Sequence, residues 1–412
     1  MQQIIENRKV SNGGRMNAGR MNAGIKILLC TIGLLLPPLL QAADNPLFIS
    51  KNTHDFSSNP DLLERVKSSP HGYFRFINIV FSQEVCNRFK EMLITSPSLN
   101  LHGDAHLEQY AVTDLGRGLT DFDDSSTGPG LVDIMRFGVS LRLACRQLGW
   151  EKESEKLFDT FLDGYQQAGN NPDLVVAEPS WAAQKRAKFK VNRNAYFKWV
   201  ASIMEPMPES EIEELTEAIK PYIRMMQAED PNRGASYFDI VAIGYLKMGI
   251  GSALDMKYVL RIQGKTTDPM DDIVLEMKEV RDISGIECIN AGNKIDPFRV
   301  LLGQARIAYT PFNHLGYFFH KDKNFWVHSW VDNYKEIDIN KSFENVEMLR
   351  EIVFDVGVQL GKGHVKHIAA PFDLQLRLQQ NECIKNNYDD IKLQCRELEK
   401  LTVDAWTLFL QE

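Results

Sequence analysis

The stretch LHGDAHLEQ, Leu101 to Gln109, and LTDFDDS, Leu119 to Ser125, decide how this chain is read. Between His102 and Asp124 they place Asp104, Glu108, Asp121, Asp123 and Asp124, together with His102 and His106, inside 23 residues. Carboxylates clustered on short loops suit a hard cation such as magnesium, which takes one or two of them and leaves room for phosphates. An Asp kept free of the metal can accept a hydroxyl proton during group transfer. The plain alternative is a solvated acidic loop. Against it, Leu101, Leu107, Leu115, Leu119 and Phe122 interleave the acids, so the spacing predicts a partly buried framework.

Working outward, LVDIMRFGVSLRLACRQLGW carries Val132, Met135, Val139 and Leu143 at helical spacing and predicts a core helix. Asp133 and Arg136 on that helix are placed to anchor the acidic loop, and His102 is read as structural. Residues 151–230 read as largely helical, with Pro221 expected to kink or end the segment EIEELTEAIKPYIRMM. Between about 240 and 335 the character changes. A glycine turn, MGIGSALD, precedes the β-branched runs YVLRIQG and DIVLEMK, which predict a hairpin. DPFRVLLGQARIAY reads as a helix with Pro297 at its first position, and GYFFH and NFWVHSWV as a second hairpin around KDKN. The remainder returns to helix. The divisions are therefore 44–235, a helical lobe with the acidic loops, 236–335, an antiparallel sheet lobe with one helix, and 336–412, helices returning to the first lobe.

HGDAHLEQ resembles the catalytic loop of aminoglycoside phosphotransferases and other kinase-like enzymes, H-G-D-x-H-x-x-N, and LTDFDD resembles their metal-binding segment. More closely, SPHGYFRF, GDAHLEQ, DFDD, GIGS, LEMKEV and GQARI, in this order, resemble the bacterial family known as domain of unknown function 2252. The resemblance implies an α+β, protein-kinase-like fold of two lobes, a small antiparallel sheet and a larger helical part. It implies magnesium and ATP as cofactors, and transfer to the hydroxyl of a small molecule or protein that the sequence does not identify. Asp104 would be the catalytic base, with His106 beside it. Asp121 would be the principal magnesium ligand, with Asp123 and Gln109 as further ligands. Gly249, Gly251 and Ser252 would cover the phosphates, and Lys278 would neutralise them. The glycine turn follows Asp121 by 128 residues, the reverse of kinase order, so the implied fold is circularly permuted.

Two departures from the pattern bear on activity. Gln109 stands where the family pattern has Asn, and the helix over 296–308 has no Glu to pair with Lys278. A kinase-like binding module without turnover is the second reading. A secreted metallophosphoesterase is the third, since G-D-x-H also occurs in two-metal sites, although the GDxxD and GNH[DE] blocks are missing.

Residues 1–43 look like an export signal: Lys26, an apolar run over 27–40 broken by Pro37 and Pro38, then Ala42 and Ala43 at the expected cleavage site. The expected location is periplasmic or secreted, with no stable membrane span after cleavage and the oligomeric state open. Of 47 Lys and Arg and 55 Asp and Glu, five basic and one acidic residue lie in that segment. The remainder carries 42 against 54, a formal net charge of −12. So acidic a surface argues against nucleic acid as a partner. Outside that segment Cys86, Cys145, Cys288, Cys383 and Cys395 show no framework spacing and read as structural thiols.

Overall fold

The computed structural model describes residues 45–229, 234–246, 255–292 and 295–412, and shows a mixed α+β chain. Along the chain come α1 (Pro60–Lys67), α2 (Pro70–Phe76), α3 (Asn78–Arg88) and α4 (Lys90–Leu93). The acidic segment is framed by β1 (Ser98–Leu101), β2 (Tyr110–Thr113), β3 (Arg117–Leu119) and β4 (Ser126–Pro129). Helices α5 (Leu131–Leu148), α6 (Ser154–Asn170), α7 (Ser180–Arg186) and α8 (Arg193–Ile203) follow, then β5 (Met204–Glu205) and α9 (Glu209–Ala228). Next are β6 (Ile240–Leu246), β7 (Lys257–Ile262), β8 (Ile273–Glu279), α10 (Phe298–Ile307), β9 (Gly316–His320), β10 (Lys323–Ser329) and β11 (Tyr334–Glu336). The chain closes with α11 (Val346–Gly363), α12 (Phe372–Asn386) and α13 (Tyr388–Gln411).

Helix α5 is the axis of the larger core. Val132, Met135, Val139 and Leu143, one stripe along the helix, are all buried. Gly149, at φ 72, ends the helix by turning its N–H back to the last carbonyls. Helices α6 and α11 pack backbone to backbone. A Cβ on Gly357 would lie 2.2 Å from the Phe161 carbonyl oxygen, and one on Gly361 2.4 Å from that of Tyr165. Only glycine permits this approach, which brings the C-terminal end of α11 to the acidic segment.

The second part is a six-stranded antiparallel sheet in the order β5-β6-β7-β8-β10-β9. Both hairpins expected from sequence are present, β7 with β8 and β9 with β10. Strands β5 and β6 add to them, β5 within a region read as helical. Period-2 alternation then sorts the side chains. Tyr258, Leu260, Leu275, Met277, Phe325 and Val327 bury one face against Leu215, Ile219, Tyr222 and Met226 of α9. Against the expectation that Pro221 would end the helix, α9 continues past it to Ala228. An interior proline costs about 3 kcal/mol, which the buried stripe on both sides of it offsets, aided by the Tyr222 hydroxyl donating to the His314 carbonyl at 2.7 Å. The short strand β11 leaves the sheet and pairs with β2.

Cys86 and Cys288, read from sequence as structural thiols, form a disulfide between α3 and the segment that follows β8. Pairing over 202 residues leaves no local spacing to detect. Cys145, Cys383 and Cys395 are free, and a break at Asn387 puts the last two on separate helices. Substituting Cys86 by Ser is expected to lower unfolding stability by roughly 2–5 kcal/mol, read as a shift of the urea midpoint. An unchanged midpoint in the oxidised protein would contradict this. Among the described residues no helix is long and apolar enough to cross a membrane.

Candidate functional site

Three loops and one sheet face converge on the acidic segment. The His-Gly-Asp turn is fixed from beneath by α5: Asp133 accepts the N–H groups of His102 at 2.7 Å and Gly103 at 2.9 Å. Asp133 is itself held by His364 Nε2 at 3.1 Å, whose Nδ1 meets the Tyr165 hydroxyl at 2.6 Å. His364 thus belongs to a buried Tyr–His–Asp chain. Gly103 must be glycine: its φ is 83, and a Cβ would lie 1.9 Å from the Asp124 carbonyl oxygen. That contact joins the two acidic loops, and Asn78 bonds both, donating to Gly103 O at 2.9 Å and Asp124 Oδ2 at 2.8 Å. His102 lies against the Thr120 carbonyl through Nε2 at 3.0 Å and accepts the Asp104 N–H through Nδ1 at 3.3 Å. Burial lowers its pKa, in keeping with a neutral structural ring.

Asp104 is buried. Its Oδ1 takes Arg136 Nε at 2.8 Å, and the Arg136 guanidinium lies 3.7 Å over the Phe74 ring. Burial pushes the Asp104 carboxyl up to about 7, with Arg136 opposing the shift. His106 is buried, has no hydrogen-bond partner at either ring nitrogen among the described residues, and its Nε2 lies 3.7 Å from Asp104 Oδ2. Burial, then the charge of Arg75, hold its pKa well below the usual imidazole range.

Asp121 has φ 60, a conformation unusual outside glycine but tolerated by Asp and frequent at functional sites. Its Oδ1 lies 2.7 Å from Lys278 Nζ, and its Oδ2 accepts Gln109 Nε2 at 3.3 Å. Asp123 meets Lys278 through Oδ2 and Trp326 Nε1 through Oδ1 at 2.8 Å. Burial works against ionising Asp121, but the Lys278 ammonium outweighs it and its pKa is far below normal. Asp123, buried and facing the charge of Asp121, is raised. Behind them Arg281 pairs with Asp124 and Asp255, and Arg299 of α10 donates to the carbonyls of Asp123, Ser125 and Arg281. Helix α10 therefore holds the acidic loop by its backbone.

A cavity of about 1000 Å3 opens at this point. Gln109, Thr120 and Asp121 form one wall, and Lys257, Glu276, Lys278, Trp326 and His328 of the sheet another. Asp104, His106 and Asp123 are not part of the wall. Glu276 accepts His328 Nε2 at 3.0 Å and Trp330 Nε1 at 2.8 Å. Burial would raise its pKa, but the His328 hydrogen bond and Lys278 bring it to about 2. His328 stacks between Trp326 and Phe312, and Trp330 stacks on Trp199. Trp181 is core. Gly249, Gly251 and Ser252 lie outside the described residues.

The structure thus brings together Gln109, Asp121, Asp123 and Lys278, from segments about 160 residues apart. Reading the sequence missed Lys257, Glu276, His328, Asn78, Arg281 and Arg299. For the first two the signal was present: period 2 puts Lys257 with Val259, and Glu276 with Lys278, on one face of a hairpin.

Fold and site define an α+β protein in which an antiparallel sheet presents lysines to a carboxylate loop at the wall of a large cavity. The chain belongs to the family described as an uncharacterized protein conserved in bacteria (DUF2252), whose model it matches over residues 62–171 and 176–391. No curated protein and no solved structure matches it.

Proposed function

We propose that this chain is a kinase-like, magnesium- and ATP-dependent phosphotransferase of permuted lobe order, working in the periplasm or outside the cell. The observation that carries the reading is the 2.7 Å contact of Lys278 Nζ with Asp121 Oδ1. It joins a buried cation and a carboxylate where two walls of the cavity meet, as a polyphosphate and its metal need. The cavity is at the large end of the range for ligand pockets, and its stacked aromatic wall suits a planar base. The Cys86–Cys288 disulfide supports export, because such bonds persist in oxidising compartments.

The donors fit magnesium. Among the described residues no three His, Cys, Asp or Glu side chains could hold a metal together. Magnesium needs only one or two protein carboxylates beside water and phosphate oxygens. Asp121 supplies one, and Gln109, whose amide oxygen and nitrogen can exchange places, supplies a second oxygen beside it. When bound, the ion would neutralise charge developing on the phosphates. Lys278 binds phosphate oxygens, kept in place by Asp121, Asp123 and its strand neighbour Glu276 in the absence of a helix Glu. Asp104, with Oδ1 held by Arg136, accepts the acceptor's hydroxyl proton at Oδ2, and a pKa near 7 suits that task.

A binding module without turnover is favoured by one observation: Asp104 is paired with Arg136 and is not part of the cavity wall. Calorimetric titration of the oxidised protein with ATP, with and without magnesium, followed by assay of phosphate release or transfer, tests both readings. Magnesium-dependent binding with turnover is expected. Binding without turnover would replace the enzyme by the module, and absence of binding would sink both.

A further inference from the structure

Lysine 278 is not the cavity's only buried ammonium. Strands β7 and β8 pair antiparallel with Lys257 directly opposite Lys278, and Trp326 of β10 opposite Lys278 on its other side. Residues so paired point to the same face with Cβ atoms about 5 Å apart, and like charges in such a pair destabilise a sheet. Both lysines are nearly inaccessible, at 5% and 6% exposure, and both line the cavity with Asp121. Burial first, then the charge of Lys278, lower the Lys257 pKa, opposed by Glu276, Asp123 and Asp121. Asp121 and Asp123 pair with Lys278, and their charge and that of Glu276 act on Lys257 too, so this face carries two lysines among three carboxylates.

We infer that Lys257 is a second polyphosphate-binding residue, and that the Lys257–Lys278 pair selects ligands with at least two linked phosphates over monophosphates. Two lysines directly opposite on neighbouring strands, with Cβ atoms about 5 Å apart, can each reach one of two adjacent phosphate groups on a diphosphate or triphosphate. A single phosphate engages one lysine and leaves the second without a phosphate contact. This selectivity deepens the proposed function and rests on its phosphate site, but not on nucleotide recognition.

The test is calorimetric titration of the full chain and its Lys257→Met variant with inorganic tripolyphosphate, orthophosphate, ATP and AMP, alongside thermal melting. Loss of one charge-assisted contact weakens binding about tenfold or more. That loss is expected for tripolyphosphate and ATP, with little change for orthophosphate and AMP, while the melting temperature holds or rises. Unchanged tripolyphosphate and ATP affinity in the variant would overturn the pair and leave the nucleotide reading intact. Tripolyphosphate binding that depends on Lys257, without ATP binding to the unaltered chain, would support the pair and overturn the nucleotide reading. Failure of the unaltered chain to bind either polyphosphate would overturn both. If Lys257→Met melts lower, Lys257→Arg decides: recovery of melting and affinity supports the pair, and recovery of melting alone makes Lys257 structural.

Discussion

Asn in place of Asp121 is expected to abolish the magnesium dependence of ATP binding and to lower phosphotransfer by roughly a thousandfold or more. Asn is the informative substitution because it tolerates the left-handed backbone that position 121 adopts, φ 60. It also keeps a side-chain oxygen for Lys278 or Gln109, so the loop should keep its shape. What it removes is charge. Asp121 is the wall carboxylate whose ionised form the Lys278 ammonium secures far below neutral pH, so it is fully charged wherever the protein is assayed. Lys278 keeps Asp123 as counter-charge, which protects the fold from a newly unpaired buried cation. Single-turnover rates and ATP titrations across magnesium concentrations provide the readout. A variant that still binds ATP in a magnesium-dependent way would move the metal away from Asp121 and leave Lys278 with a structural partner only.

Loss of Asp133 is expected to cost about 3–5 kcal/mol of unfolding stability as Ala, and less as Asn. Its carboxylate, fully buried, accepts the His102 and Gly103 N–H groups and His364 Nε2. Alanine would orphan all three donors, each without access to water. Asn keeps one acceptor oxygen and turns a donor toward groups that already donate. Burial alone would raise the Asp133 pKa, but the His364 hydrogen bond and charge reverse the sign and leave it lowered. A lowered folded-state pKa means the unfolded chain binds the proton more readily. Its stabilisation is therefore complete above the unfolded value near 3.8 and lost as pH falls through the lower folded value. Urea unfolding at neutral pH checks the magnitude, and its repetition below pH 4 should show the gap between parent and variant narrowing. A loss below 1 kcal/mol for Asp133→Ala would show that the His-Gly-Asp turn does not hang on α5.

Much of this architecture was legible because it is local. The α5 stripe, the two hairpins and the carboxylates of the acidic segment each follow from spacing within twenty or so residues, and Asp133 and Arg136 sit where their helix must pass the loop. Strand β6 was harder. IVAIGYL reads as any short apolar run until β5 and β7 flank it. Pro221 misled because its penalty is local while its compensation, the sheet face under α9, comes from residues up to a hundred positions later.

The acidic segment carries its own chemistry. Residue types alone put Asp104, Asp121 and Asp123 within one short stretch with Gln109, and hydrophobic interleaving alone made that stretch part of a core. Tertiary structure decided which carboxylate faces what: Asp121 the cavity, Asp104 the buried Arg136, Asp123 Trp326 and Lys278. It also decided that Lys257 stands beside Lys278, that Cys86 meets Cys288, and that Tyr165 and His364 stand behind Asp133. The division has a physical cause. Period and propensity act along a few turns of chain, whereas charge and hydrogen bonding in a dry interior depend on which distant groups are brought within 3 Å.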